Sequence, residues 1–111
     1  MKEIPILNNE YKVIVCWGSK KSIKEVLTKN GHKFTDKDLD WDTCRGRFFS
    51  TPFRHSVIAL PRKPKTAEEI GTLTHEACHA VLDIFEWIEE EHYDEVFAHS
   101  VGAIVRESLK G

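Results

Sequence analysis

Residues 66–84, Thr-Ala-Glu-Glu-Ile-Gly-Thr-Leu-Thr-His-Glu-Ala-Cys-His-Ala-Val-Leu-Asp-Ile, decide how this chain is read. Thr66 followed three residues later by Glu69 is a capping box: the hydroxyl accepts from the Glu69 amide while the Glu69 carboxylate reaches back. Downstream, Ile70, Leu73, Ala77, Val81, Ile84 and Ile88 recur at intervals of three and four, the spacing of one apolar helix face. The segment is therefore an amphipathic helix with a defined start.

Inside that helix stands His75-Glu76-Ala77-Cys78-His79. A helix turns about 100° per residue, so four residues bring His79 to within about 40° of His75, one turn (about 6 Å) along the axis. Two imidazoles stacked in this way can grip one Zn²⁺ at about 2.0–2.1 Å each. Glu76 lies beside such a site, where its carboxylate can take a proton from water. Two histidines are too few for a tight zinc site, so a third protein ligand is needed.

Val96 to Leu109 reads as a second helix, with Phe97, Val101, Ile104 and Val105 on its apolar face. It offers Glu95 and His99, four residues apart. Glu95 follows His79 by sixteen residues, enough to finish a helix, turn and return antiparallel. His99 and His92 are the alternatives. Gly102 costs about 1 kcal/mol relative to Ala within a helix, and close approach to the motif helix would explain its presence. The stretch Asp83 to Tyr93 contains neither Gly nor Pro. The break between the helices is expected between Phe85 and His92, with Glu89, Glu90 and Glu91 suited to the first turn of the new helix.

Working toward the N-terminus, His55 to Leu60 holds the near-continuous apolar run of an interior strand, and the more polar Gly46 to Ser50 suits a sheet edge. Thr51 to Arg54 separate the two. Phe34 to Thr43 is an acidic, turn-rich connection. Ser22 to Asn30 reads as a helix stopped by Gly31, and Tyr11 to Trp17 as a strand ended by Gly18. The order β-α-β-β-α-α predicts one α+β domain over residues 1–111. It has a small antiparallel or mixed sheet of about three strands, an N-terminal helix and two C-terminal helices carrying the metal site.

A length of 111 residues allows one core and no second domain of any size. Sixteen Lys and Arg against eighteen Asp and Glu give a net charge of -2, which argues against a nucleic-acid partner. No apolar run approaches a membrane span, and the N-terminus lacks the apolar stretch of a secretory signal, so a cytoplasmic location is expected. Cys16, Cys44 and Cys78 are odd in number and widely spaced, as reduced thiols would be. Cys78 reads as small-residue packing, and Trp17, Trp41 and Trp87 as core or core rim. His32 and His55 read as surface residues, and Arg45, Arg47 and Arg54 as a modest positive rim.

His75 to His79 followed by Glu95-Val-Phe-Ala-His99 resembles the zincin metallopeptidases, and among them the gluzincin pattern of HExxH with a downstream Glu in an ExxA context. The chain is also similar to small phage-encoded HExxH proteins, in which a strand ending in Leu-Pro, here Leu60-Pro61, leads into the motif helix. The resemblance covers Ser56 to Leu109. It implies a zinc-dependent peptidase in which His75, His79 and Glu95 hold Zn²⁺ and Glu76 is the general base acting on a metal-activated water. A peptide or protein substrate would lie extended along the edge strand by β-augmentation, against Arg47, Phe48, Phe49 and Ser50.

Relatives often carry Tyr after the ExxA where this chain has His99. His99 is then a catalytic candidate as hydrogen-bond donor to the oxyanion, with Tyr93 and His55 as alternatives. So short a chain leaves little material for a second lobe, so an open, shallow cleft is expected. The alternative function is a non-catalytic binding module on the same scaffold, acting on a host or regulatory protein. A zincin acting on DNA-bound protein would need a basic surface that the composition does not offer.

Overall fold

A computed structural model of the chain describes residues 1–7, 10–50, 55–87 and 94–110. Its elements are β1 (Lys2–Ile6), β2 (Tyr11–Trp17), α1 (Lys20–Lys29), a 3-10 turn at Asp36–Leu39, β3 (Arg47–Phe49), β4 (His55–Leu60), α2 (Ala67–Trp87) and α3 (Asp94–Leu109). The strands form one mixed sheet in the order β1-β2-β4-β3. The two central strands run parallel, with Ile14 opposite Val57 and Cys16 opposite Ala59. Both outer strands are antiparallel to their neighbours.

The sheet has four strands rather than the expected three. The additional one, β1, reads Lys-Glu-Ile-Pro-Ile, and its two charges and proline mask the alternation that buries Ile4 and Ile6. Proline is tolerated there because β1 is an edge, where one side of the strand has no ladder to complete.

Both faces of the sheet are covered. Val13, Val15, Ile58 and Leu60 face α2 and α3, packing with Leu73, Ala77, Val81 and Ile104. Ile14, Cys16, Val57 and Ala59 point the other way, onto Ile23 and Leu27 of α1 and onto Leu39. The continuous apolar runs of β2 and β4 follow from this arrangement, since both faces of an interior strand are dry.

The start of α2 is the capping box expected from the sequence. The Glu69 amide donates to Thr66 Oγ1 (3.1 Å), and the Thr66 amide donates to Glu69 Oε1 (3.1 Å). Leu73, Ala77, Val81 and Ile84 are buried, whereas Ile88 lies outside the described residues. α2 is described as far as Trp87 and α3 from Asp94, so the break expected between Phe85 and His92 lies largely outside the described residues. Glu89, Glu90, Glu91, His92 and Tyr93 lie outside the described residues, as does Arg54.

Gly102 departs from its expected role. A Cβ built there meets nothing within 4 Å among the described residues, so this glycine makes no close approach to the described part of α2. The buried positions of α3 are Ser100, Ile104 and Ser108, four residues apart, and Gly102 falls on the outer side of the helix. Among the described residues, no helix is long and apolar enough to cross a membrane.

Candidate metal centre

α2 lies under the α2-facing side of β4 with its His75 and His79 side chains exposed beside the edge strand β3. The two Nε2 atoms are 3.2 Å apart. For tetrahedral coordination at about 2.05 Å, two ligand nitrogens stand about 3.3 Å apart. The pair, joined in this structure by a hydrogen bond between the two Nε2 atoms, has the span of one edge of a zinc tetrahedron. The rings meet edge-on, 4.8 Å between centroids and 79° between planes. Phe48 of β3 lies nearly parallel to the His79 ring, 6.3 Å between centroids and 12° between planes.

Glu76 points inward beside this pair. It is 8% exposed, and its Oε1 lies 3.8 Å from His75 Nε2. A carboxylate in that place can accept a proton from a water held at the histidine pair. Gly46, just ahead of β3, makes this arrangement possible. A Cβ there would fall 3.0 Å from Leu60 Cδ2, 3.0 Å from Thr72 Cγ2 and 3.5 Å from Glu76 Cγ. Glycine therefore lets the chain pass here without displacing Leu60 or Thr72.

A cleft of about 400 Å³ runs from Arg45 and Gly46 past Glu68, Gly71 and Thr72 to His75 and Glu76. It is open to solvent, as expected of so short a chain, and lies beside the residues that lead into β3. Across the three comparisons made, with protein-family models, with curated proteins and with solved structures, the chain finds no match.

Glu95 and His99 stand one turn apart at the start of α3 and lie close to each other, with Glu95 Oε2 3.7 Å from His99 Nε2. Both side chains are exposed, at 91% and 83%. Among the described residues, no third His, Cys, Asp or Glu gathers with His75 and His79 into a metal-binding group. The two motif histidines thus fit a zinc ion, while Glu95 faces solvent.

The four edge-strand candidates divide between the two faces of the sheet. Phe48 faces α2, whereas Phe49 is buried on the α1 side against His32, with ring centroids 6.1 Å apart. Period-two alternation requires this split, and only the backbone of Phe49 remains for an added strand. Ser50 is exposed. Arg47 donates to Asp38 Oδ1 (3.0 Å), and Arg45 pairs with Glu68. The arginine rim expected beside the cleft is therefore matched by carboxylates at two of its three positions.

His55 lies in register with Val57 and Ala59 on the α1 side of β4, the face opposite α2, so it is no candidate for the oxyanion of a site on α2. His32 is buried rather than at the surface. Burial pushes its pKa down, against a hydrogen bond to the Ser50 backbone that raises it. Cys16, Cys44 and Cys78 are free, and burial pushes the Cys16 thiol up to about 11.

Thr72 and Gly46 are site residues that the motif alone does not name. Thr72 precedes Glu76 by four, so the helix period already puts both on one face. The approach of Gly46 carries no local signal, because it depends on where the edge strand crosses the helix.

Proposed function

We propose that this chain is a zinc-dependent peptidase of gluzincin type, with His75 and His79 holding the ion, Glu95 as the third ligand once its exposed side chain turns from solvent toward the pair, and Glu76 as general base. The observation that carries this reading is the convergence of the two Nε2 atoms at 3.2 Å beside an inward-pointing Glu76. Zinc supplies Lewis acidity there when bound, acidifying water and polarising a carbonyl. Glu76 accepts the proton of the attacking water and returns it to the departing amine. β3 is an outer strand of the sheet, and its edge would pair with the main chain of an extended substrate. Phe48 holds the His79 ring from the strand side.

Metal content tests the ligand set. Zinc near one per chain is expected in the wild type, and it should be lost in His75→Ala and in Glu95→Ala. Retention in Glu95→Ala would move the third ligand to His99 or His92. Glu76→Gln tests the chemistry: it should keep zinc and lose turnover.

A second reading, a binding module on the same scaffold, is favoured by the exposure of Glu95 and by the lack of a third ligand at the pair among the described residues. Under that reading Glu76→Gln leaves function almost unchanged.

A further inference from the structure

Beside the cleft lies a second hollow of about 300 Å³. Trp41, Leu60, Pro61 and Pro64 give it apolar walls. Arg45, Glu68 and Thr72 line both spaces, so the hollow borders the cleft that reaches His75 and Glu76. We propose that it is a side-chain subsite of the same cleft, selecting peptides that carry a bulky apolar residue two positions along from the residue held at Glu76. This inference rests on the peptidase reading and gives it a substrate class.

Size, charge and spacing support the assignment. A volume of about 300 Å³ sits at the lower limit of ligand pockets, which suits one large side chain better than a whole small molecule. The charges at the mouth are already engaged: Arg45 pairs with Glu68, and Arg62 with Glu69. Glu69 also accepts from the Lys65 and Thr66 amides. A charged substrate residue would find no unmatched partner among these groups, while an apolar one gains by leaving water.

Thr72 and Glu76 are one helical turn apart, about 6 Å along α2. Alternate residues of an extended peptide are about 6.8 Å apart and point to the same side. The two spacings match, so an extended peptide with one side chain beside Glu76 would bring the next on the same side close to Thr72, which borders the hollow.

The test uses ¹⁵N-labelled full-length Glu76→Gln protein titrated with the N-acetyl amides of Phe, Leu, Asp and Lys, followed by NMR. The Phe and Leu probes should shift the amides of Arg45, Leu60 and Thr72 and the Trp41 indole, saturating in the millimolar range. The Asp and Lys probes should bind at least tenfold more weakly. Thr72→Leu, which narrows the hollow, should weaken the Phe probe about tenfold. Equal response to all four probes, or no response at these positions, overturns the proposal whether or not Thr72→Leu folds.

Digestion of a random peptide library by the zinc-loaded wild type gives the second arm. An apolar preference two residues from the cut supports the subsite, and cleavage without that preference removes it. Probe binding without any cleavage removes the peptidase reading and leaves an apolar side-chain pocket.

Discussion

The rings of Phe48 and His79 lie nearly parallel, with 12° between their planes and 6.3 Å between centroids. One residue belongs to the edge strand and the other to the motif helix, so the contact ties the orientation of an imidazole proposed as a metal ligand to the position of the strand proposed to receive substrate. Phe48→Ala should weaken zinc binding about tenfold, the lower end of what groups supporting metal ligands contribute. Phe48→Leu keeps most of the packing without the ring and should fall between the two. Zinc competition against a chromogenic chelator measures the difference, and equal affinity in all three proteins would make the ring contact incidental.

Gly46 sets the distance between strand and helix. An alanine methyl there meets Leu60 Cδ2 and Thr72 Cγ2, both at 3.0 Å, so those side chains must give way, and it comes into ordinary contact with Glu76 Cγ at 3.5 Å. Overpacking of this kind costs about 1–3 kcal/mol. Gly46→Ala should lower the melting temperature and reduce turnover more than zinc content, because the shift reaches Glu76 before the exposed histidines. An unchanged melting curve would show that the strand moves away freely.

How far the sequence could be read depends on where each signal resides. α2 announced itself because its cap, its apolar face and its histidines are all local: Thr66 reaches Glu69, and His75 reaches His79, within one turn. β4 was legible as an interior strand because burial on both faces leaves an unbroken apolar run. β1 was not, since on an edge strand only Ile4 and Ile6 carry the pattern and Pro5 contradicts it. The burial of His32 against Phe49 and the pairing of Arg45 with Glu68 join positions far apart in the chain, and no periodicity encodes them. The explanation offered for Gly102 failed for the same reason: which side of α3 packs against the core is settled by distant strands.

That failure gives a prediction of its own. Gly102 is exposed within α3 with open space where a Cβ would go. Gly102→Ala should therefore stabilise the fold by about 0.5–1 kcal/mol through the backbone entropy that glycine loses in a helix. For a domain of this size the melting temperature should rise by about 2–8 °C. Gly71 is similarly open but lines the cleft, so Gly102 isolates the effect. A fall in melting temperature on calorimetry would mean that the position is packed in solution.

The cap of α2 should show itself in acid. The Thr66 amide first, then the Arg62 guanidinium and the Lys65 amide, hold the Glu69 carboxyl down to about 2 from an ordinary 4.5. The depressed value means that the unfolded chain takes up this proton before the folded one does. The Glu69 contribution is thus complete above pH 4.5 and is lost as the pH falls toward 2. Glu69→Gln removes that titration. Its melting temperature should lie below wild type at pH 6, and the gap should close as the pH approaches 2. Asp36, Asp38 and Glu107 are also held below their ordinary values, so wild type and variant should share a remaining acid slope. The gap between the two curves is the quantity that reports Glu69. A gap that stays constant from pH 6 to pH 2 would mean that the carboxylate gains nothing from the helix terminus it caps.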